Sequence, residues 1–69
     1  MDMQTVQSTD IARVGWEDET LRVEFRSGGA YEYHDVSEST YRSLRDATSP
    51  GGFFRSSIKG KYRYSKVVG

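Results

Sequence analysis

The fold is decided by residues 21–34, which have the sequence LRVEFRSGGAYEYH. Apolar and charged residues alternate in the first half, and after two glycines two tyrosines alternate with polar residues in the same way. A period of two is typical of a strand with one buried face, and glycines between two such strands favour a hairpin turn. The stretch therefore predicts an antiparallel hairpin with a three-residue loop, in which Phe25 lies opposite Tyr31 and Val23 lies opposite Tyr33.

A third strand is predicted before this hairpin, because residues 12–16 show the same alternation. Its apolar set is Ala12, Val14 and Trp16. If this set shares the buried face of the hairpin, Trp16 lies opposite Leu21 and Val14 lies opposite Val23, which requires a turn of two or four residues in the acidic run between them. The three strands then form an antiparallel meander, and the first of them is an edge strand.

Two helical segments are predicted after the meander. Ser37 is a preferred N-cap residue, and Tyr41 and Leu44 lie at helical spacing on one face. A proline and two glycines in residues 49–52 end this helix. Phe54 and the isoleucine four positions later predict a short second helical segment.

The fold class is therefore α+β. We expect a three-stranded antiparallel β-meander, covered on one face by one main helix and a short C-terminal helical segment, in the order β-β-β-α-α. Residues 1–8 are polar and without period, so we expect a flexible N-terminal tail, followed by a single domain over residues 9–66. Residues 59–66 are expected to be extended or irregular.

Composition argues against several functional classes. The 69 residues include no cysteine and one histidine, which leaves little from which to build a nucleophile–base pair or a zinc site. We therefore predict that the protein is not an enzyme and has no catalytic, cofactor-binding or metal-binding residues. No apolar run approaches the roughly 20 residues of a membrane helix, and the start lacks a signal peptide's pattern. We expect a soluble, cytoplasmic protein with no membrane partner, and we infer no small-molecule substrate.

The polar side chains of the meander have a simple interpretation. His34 is predicted on the exposed sheet face, with Arg22 as its cross-strand neighbour, where it is solvated. Glu24 and Glu32 are expected to lie opposite each other, surrounded by cations that balance their charge. None of these positions indicates acid–base chemistry.

The basic C-terminal part of the chain carries the strongest functional pattern. Residues 1–40 hold three basic and nine acidic residues, whereas residues 41–69 hold seven basic residues and one acid. Cations neutralise phosphates and tyrosines stack on bases, so the segment is typical of a site for RNA or single-stranded nucleic acid. The candidate binding residues are Arg55, Lys59, Lys61, Tyr62, Arg63, Tyr64 and Lys66. Alternatively, the segment only offsets the acidic half, and Tyr62 anchors it in the core.

Two further alternatives stay open. Tyr31 and Tyr33 share a sheet face, which suits base stacking in RNA-binding modules, but the same face must pack against helices, and we favour a core role for both. The charge polarity and an edge strand are also consistent with a protein-interaction or adaptor module that has no role with nucleic acid.

The order and spacing of these residues resemble the KTSC domain family, a module found at the C-terminus of some lysyl-tRNA synthetases and as stand-alone proteins in bacteria and phages. The resemblance spans roughly residues 8–64, and its central motif is Tyr31-Glu32-Tyr33. Its other matching positions are Val14, Gly15, Trp16, Leu21, Val23, Phe25, Gly29, Val36, Tyr41, Leu44, Ser49, Gly51, Phe54, Ile58, Lys59 and Tyr62. Trp16 stands where the family more often has tyrosine, and Arg55 where it more often has asparagine. The resemblance implies RNA binding only by association with the synthetase.

Overall fold

The computed structural model describes residues 1–67. Five strands and two helices make up this part of the chain. They are β1 (Met3–Thr5), β2 (Ile11–Glu17), β3 (Thr20–Phe25), β4 (Ala30–His34), α1 (Glu38–Arg45), α2 (Pro50–Ser57) and β5 (Tyr64–Val67). The strands form one antiparallel sheet in the order β1-β2-β3-β4-β5.

The α+β class, the central meander and the two helices are confirmed, but the predicted number of three strands is wrong. β1 lies in residues 1–8, where we expected a flexible tail and no strand, and it pairs with β2. β5 lies in the segment that we expected to be extended or irregular, and it pairs with β4. Both strands are short and largely exposed, so neither carries the alternation of buried residues by which a strand is detected.

β1 changes the interpretation of the sheet edge. Because β1 pairs with β2, the edge strands of the described sheet are β1 and β5. The prediction that β2 is an edge strand is therefore wrong. Val6, directly after β1, is only 5% exposed and belongs to the core. This buried side chain holds the end of a segment whose other residues are exposed or half-buried.

The hairpin of β2 and β3 has the predicted register, with Trp16 opposite Leu21 and Val14 opposite Val23. Its loop has two residues, and both Asp18 (φ 50°) and the next residue have positive φ, as a type I′ turn requires. At the start of β2 the register shifts by one residue.

This β-bulge moves Ala12 away from the predicted buried position. Ile11 pairs with Phe25 while Arg13 pairs with Glu24, so Ala12 has no partner of its own. Ile11 is fully buried and occupies the core position that alternation had assigned to Ala12. A strictly periodic pattern cannot reveal an inserted residue, which is why this assignment was wrong.

The hairpin of β3 and β4 keeps its predicted face but not its predicted register. Val23 lies opposite Tyr31 and Leu21 lies opposite Tyr33, a shift of two residues. The backbone N–H of Phe25 donates to the carbonyl of Gly29 (2.8 Å), which closes a three-residue loop one position earlier than predicted. A shift of two residues leaves every side chain on its own face, so the apolar pattern could not distinguish the two registers.

The helices begin at residues that satisfy their first backbone amides. Ser37 caps α1 as predicted, since its hydroxyl oxygen accepts from the N–H of Thr40 (3.2 Å). Ser49 caps α2 in the same way, accepting from Gly52 (3.2 Å), and Pro50 occupies the first turn. Residues 49–52 therefore start the second helix, rather than only ending the first.

The core lies between the helices and one face of the sheet. Its buried side chains are Val6, Ile11, Val14, Leu21, Val23, Tyr33, Val36, Tyr41, Leu44, Phe54 and Ile58. Trp16 packs at its margin and donates its indole N–H to the carbonyl of Val36 (2.7 Å), which joins β2 to the start of α1. The C-terminal end of α2 lies at the margin of this core, beside an open cleft.

Candidate functional site

An open cleft lined by aromatic side chains lies where α2 ends above β4 and β5. Its volume is about 430 Å³. We call it the aromatic cleft, and its lining residues are Phe25, Tyr31, Tyr33, Phe54, Lys59, Gly60 and Tyr64. Neighbouring strands supply the three tyrosines, because Tyr33 of β4 lies directly opposite Tyr64 of β5.

The rings of the cleft form a continuous network. The ring centroid of Tyr64 lies 5.8 Å from that of Tyr31 and 5.7 Å from that of Tyr33. Phe25 contacts Tyr31 and Phe54 edge-to-face, at 5.9 and 5.4 Å, and Phe54 meets Tyr33 in the same way at 5.5 Å. These distances are typical of favourable aromatic pairs. The network holds the rings in place before any ligand arrives.

Exposure increases across the network from the core to the solvent. Tyr33 is 6% exposed, Tyr31 is half-buried, and Tyr64 is 61% exposed. Tyr33 thus takes the core role that we favoured, whereas Tyr31 is shared between the core and the cleft. Tyr64 offers a large aromatic surface to a ligand, on a base of rings that are already packed.

Burial raises the pKa of the Tyr33 hydroxyl above its ordinary value. The neighbouring hydroxyls of Tyr31 and Tyr64 act in the same direction, because an ionised phenol beside them would add like charge. Tyr33 therefore stays neutral at physiological pH, as a hydroxyl that can donate and accept hydrogen bonds.

Two lysines flank the aromatic cleft. Lys59 follows α2 and lines the cleft, and Lys66 lies on β5 directly opposite Tyr31, on the same sheet face. Both side chains are exposed, and within residues 1–67 neither forms an ion pair. An aromatic surface between two free ammonium groups has the chemistry that a stacked base and its phosphates require.

The structure places Lys59 and Tyr64 in the wall of the cleft and Lys66 beside it on β5, but it separates the other four predicted binding residues from this cleft. Arg55 on α2 is paired with Asp10 (2.9 Å). Arg63 is exposed and paired with Asp35 (3.2 Å). Lys61 lies in the turn before β5 and does not line the cleft.

Tyr62 packs against the core, as in the alternative interpretation of the segment. Conversely, sequence reasoning assigned Phe25 and Phe54 to the core alone, although both line the cleft. The alternating spacing of Phe25 and the helical spacing of Phe54 indicate burial, whether or not the ring also borders a cleft. Only the position of β5 reveals that both rings line the aromatic cleft.

The opposite face of the sheet carries a network of charges, with partners that differ from the prediction. Arg22 lies opposite Glu32, and its guanidinium bridges Glu24 (3.2 Å) and Glu32 (3.4 Å). His34 lies opposite Thr20 rather than Arg22, and its Nε2 is 3.0 Å from the hydroxyl of Ser65. The two-residue register shift accounts for both differences, since it moves each partner one step along its face.

Residues 1–67 show no sign of a metal site or of a membrane-spanning helix. This part of the chain contains no group of three or more histidine, cysteine, aspartate or glutamate side chains placed to hold a metal ion. None of its helices is long and apolar enough to cross a membrane.

Comparison with known proteins identifies the family. The model of the KTSC domain matches residues 7–62, which is most of the chain. This chain belongs to the KTSC domain family. The crystal structure of a KTSC domain protein from Yersinia pestis superimposes with a TM-score of 0.92 and 35% sequence identity, over 97% of each chain. The family resemblance seen in the sequence is thereby confirmed.

The KTSC domain is also similar to part of a larger enzyme. Lysine–tRNA ligases from Trichormus variabilis and Nostoc punctiforme are each 41% identical to it over 49 residues. The match covers 71% of this chain but only 9% of either ligase. The chain thus corresponds to a small module of those enzymes.

Most positions that carry the resemblance have structural roles in this chain. Nine of them belong to the core, namely Val14, Leu21, Val23, Tyr33, Val36, Tyr41, Leu44, Phe54 and Ile58. Ser49 caps α2, and Trp16 bonds to Val36. Tyr31 and Lys59 differ from these, since both matching positions line the aromatic cleft and remain accessible.

Proposed function

We propose that this KTSC domain is a small non-catalytic module that binds single-stranded RNA in the aromatic cleft. Tyr64 carries this proposal, because its ring is largely exposed and rests against Tyr31 and Tyr33. A preformed aromatic platform loses little entropy when a base stacks on it. Lys59 and Lys66 then lie beside the stacked base, where they can neutralise backbone phosphates.

The similarity to lysine–tRNA ligases supports RNA as the nucleic acid. Those proteins act on tRNA by name, and a module within them that binds exposed bases would lie close to such a substrate. Unpaired bases, rather than a duplex, suit a cleft of this kind, because stacked and paired bases present no face to a tyrosine ring.

The alternative of a protein-interaction module has weaker support. One argument for it was the charge polarity of the two halves, yet Asp10 pairs with Arg55 and Asp35 with Arg63, so each pair joins the two halves. An exposed edge strand would also suit a protein partner, but β1 covers β2, and the edges of the described sheet are the short strands β1 and β5.

The proposal is tested by titrating fluorescently labelled single-stranded RNA with the wild-type protein, Tyr64→Ala and Tyr64→Phe. A stacked base contributes roughly 1–3 kcal/mol, so we expect Tyr64→Ala to weaken binding roughly 5- to 100-fold. Tyr64→Phe keeps the ring and should bind within about twofold of the wild type. Because the side chain of Tyr64 is exposed, neither substitution should change the fold.

The lysines are tested by the salt dependence of the same titration. We expect Lys66→Ala to weaken binding and to reduce the slope of log affinity against log salt by about 0.7, the value for one phosphate contact with a single strand. Arg42→Ala is the matched control, since it removes one exposed cation from α1. Equal effects of the two substitutions, or equal binding by Tyr64→Ala and wild type, would reject the proposed cleft.

A further inference from the structure

A second cavity adjoins the aromatic cleft, between α2 and the loops that precede β2 and follow β3. Its volume is about 320 Å³. It shares Phe25, Phe54 and Lys59 with the cleft, so the two spaces are neighbours separated by two phenylalanine rings. Arg26 and Arg55 complete its cationic lining, and we call it the basic pocket.

The charges around the basic pocket are unequal. Arg26, Arg55 and Lys59 supply three cations, and Asp10 is the one acid among the residues that line the pocket. Asp10 is engaged by Arg55 (2.9 Å), which leaves the charges of Arg26 and Lys59 without an acidic partner within residues 1–67. An excess of positive charge in a concave site attracts anions.

The guanidinium of Arg26 is oriented by one hydrogen bond. Its Nε donates to the backbone carbonyl of Ser8 (2.6 Å), and its backbone N–H donates to the carbonyl of Asp10 (2.9 Å). The terminal nitrogens form no hydrogen bond within the described residues, so they remain available as donors. A guanidinium that is oriented before binding is well suited to phosphate, which accepts two parallel hydrogen bonds from it.

We propose that the basic pocket holds a phosphate of the strand whose base stacks in the aromatic cleft. This inference rests on the proposed function and adds its chemistry, because it assigns a separate subsite to the phosphate. Arg26 is the principal ligand, Lys59 reaches the same strand from the boundary of the two cavities, and the hydroxyls of Thr9 and Ser27 line the pocket as further donors. The ligand class is then a nucleoside phosphate within a single strand, and not a free nucleobase.

Gly51 lies in the wall of the basic pocket, where Asp10 and Arg55 pack closely around it. A Cβ atom at Gly51 would lie 3.3 Å from Oδ2 of Asp10 and 3.4 Å from the guanidinium of Arg55. Glycine therefore lets the loop that carries Asp10 approach α2 closely, and the ion pair of Asp10 and Arg55 forms part of the pocket wall.

The test compares adenosine with adenosine 5′-monophosphate and 3′-monophosphate, using amide-resolved NMR titrations. Adenosine should shift Tyr31 and Tyr64, and at least one monophosphate should also shift Asp10 and Ser27 and bind roughly tenfold more tightly. In Arg26→Gln this advantage of the phosphate should disappear, while the affinity for adenosine stays unchanged.

Two further variants keep the test decisive. Arg55→Gln removes a second charge from the pocket and should also reduce the phosphate advantage, in case Arg26→Gln disturbs the loop that it holds. Arg42→Gln, on α1, should leave the advantage intact. The amide spectrum of each variant confirms that it folds.

The outcomes separate the two proposals. If adenosine shifts the cleft but the phosphates add nothing, or if their advantage survives in both Arg26→Gln and Arg55→Gln, the basic pocket is overturned and the proposed function stands. If neither the nucleoside nor either monophosphate shifts any residue of the cleft, both proposals fail.

Discussion

Tyr33 and Tyr64 lie opposite each other on paired strands, yet their surroundings differ completely. Tyr33 is covered by Phe54 and takes part in the core, whereas Tyr64 lies on the edge strand β5, where its ring contacts Tyr31 and Tyr33 but stays largely exposed. The residue that stabilises the fold and the residue that we propose to bind a base are therefore direct neighbours. Substitutions at these two positions should separate stability from binding.

The titration of Tyr33 gives a test of its burial. Because burial raises its pKa, the folded state favours the neutral phenol. This contribution to stability is complete below the unfolded pKa of about 10 and is lost as the pH rises through the higher folded pKa. We expect urea denaturation to show a steeper loss of unfolding free energy above pH 10 for the wild type than for Tyr33→Phe. Parallel pH profiles of the two proteins would contradict the burial of this hydroxyl.

At the level of elements, the parts with internal periodicity were predictable. β2, β3 and β4 alternate, and the helices have capping residues and buried stripes. β1 and β5 carry no such pattern, since they are held by backbone pairing to a neighbour and not by their own buried side chains. The register of β3 with β4 could not be predicted from the apolar pattern either, because a two-residue shift leaves every side chain on the same face of the sheet.

The residues of the candidate site could likewise be predicted only in part from the sequence. Lys59, Tyr64 and Lys66 were among seven predicted binding residues, but nothing in the sequence distinguished them from Arg63 or Lys61. Their convergence depends on β5 adding to β4, which brings Tyr64 opposite Tyr33. Composition can thus identify a binding segment, while the selection of residues within it depends on strand pairing.

The cap of α1 can be tested by two serine substitutions in one region. Ser37→Ala removes the acceptor of the Thr40 N–H, and we expect a loss of about 1 kcal/mol in unfolding free energy. Ser43→Ala lies on the exposed surface in the middle of the same helix and should be neutral or slightly stabilising, since alanine is the better helix former. Urea denaturation measures both values. Equal losses would mean that the hydroxyl of Ser37 does not act as a cap.

The packing of β1 depends on Gly15 of β2. A Cβ atom there would lie 2.9 Å from the carbonyl oxygen of Asp2 and 2.5 Å from the sulfur of Met3, so Gly15→Ala must displace β1. We expect faster hydrogen exchange at Gln4 and Val6, the alternate positions whose N–H groups face β2, and a destabilisation of roughly 1–3 kcal/mol.

Gly29→Ala is the matched control for this substitution. Its Cβ would meet only the ring of Tyr31, at an ordinary 3.6 Å, and its φ is not in the left-handed region, so little change is expected. Unaltered protection of the β1 amides in Gly15→Ala would contradict the observed packing of the N-terminal strand.

On the scale of the whole molecule, folding interleaves the acidic and basic halves of the chain. The pairs Asp10–Arg55 and Asp35–Arg63 connect the two halves, and such exposed pairs contribute roughly 0–1 kcal/mol each. Lys59 and Lys66 remain free of ion pairs within the described residues, at the margin of the aromatic cleft. Arg26 in the basic pocket and Lys61 in the turn before β5 also form no ion pair within residues 1–67, so three of these four cations lie at the aromatic cleft or the adjoining pocket.

The proposal that this KTSC domain binds single-stranded RNA in the aromatic cleft is tested most directly by an amide-resolved NMR titration. A short single-stranded RNA is added at low and at near-physiological salt. We expect the shifts to cluster on Tyr31, Lys59, Gly60, Tyr64 and Lys66 and to weaken as salt rises. A spectrum that does not move, or shifts confined to the opposite face of the sheet, would contradict the claim.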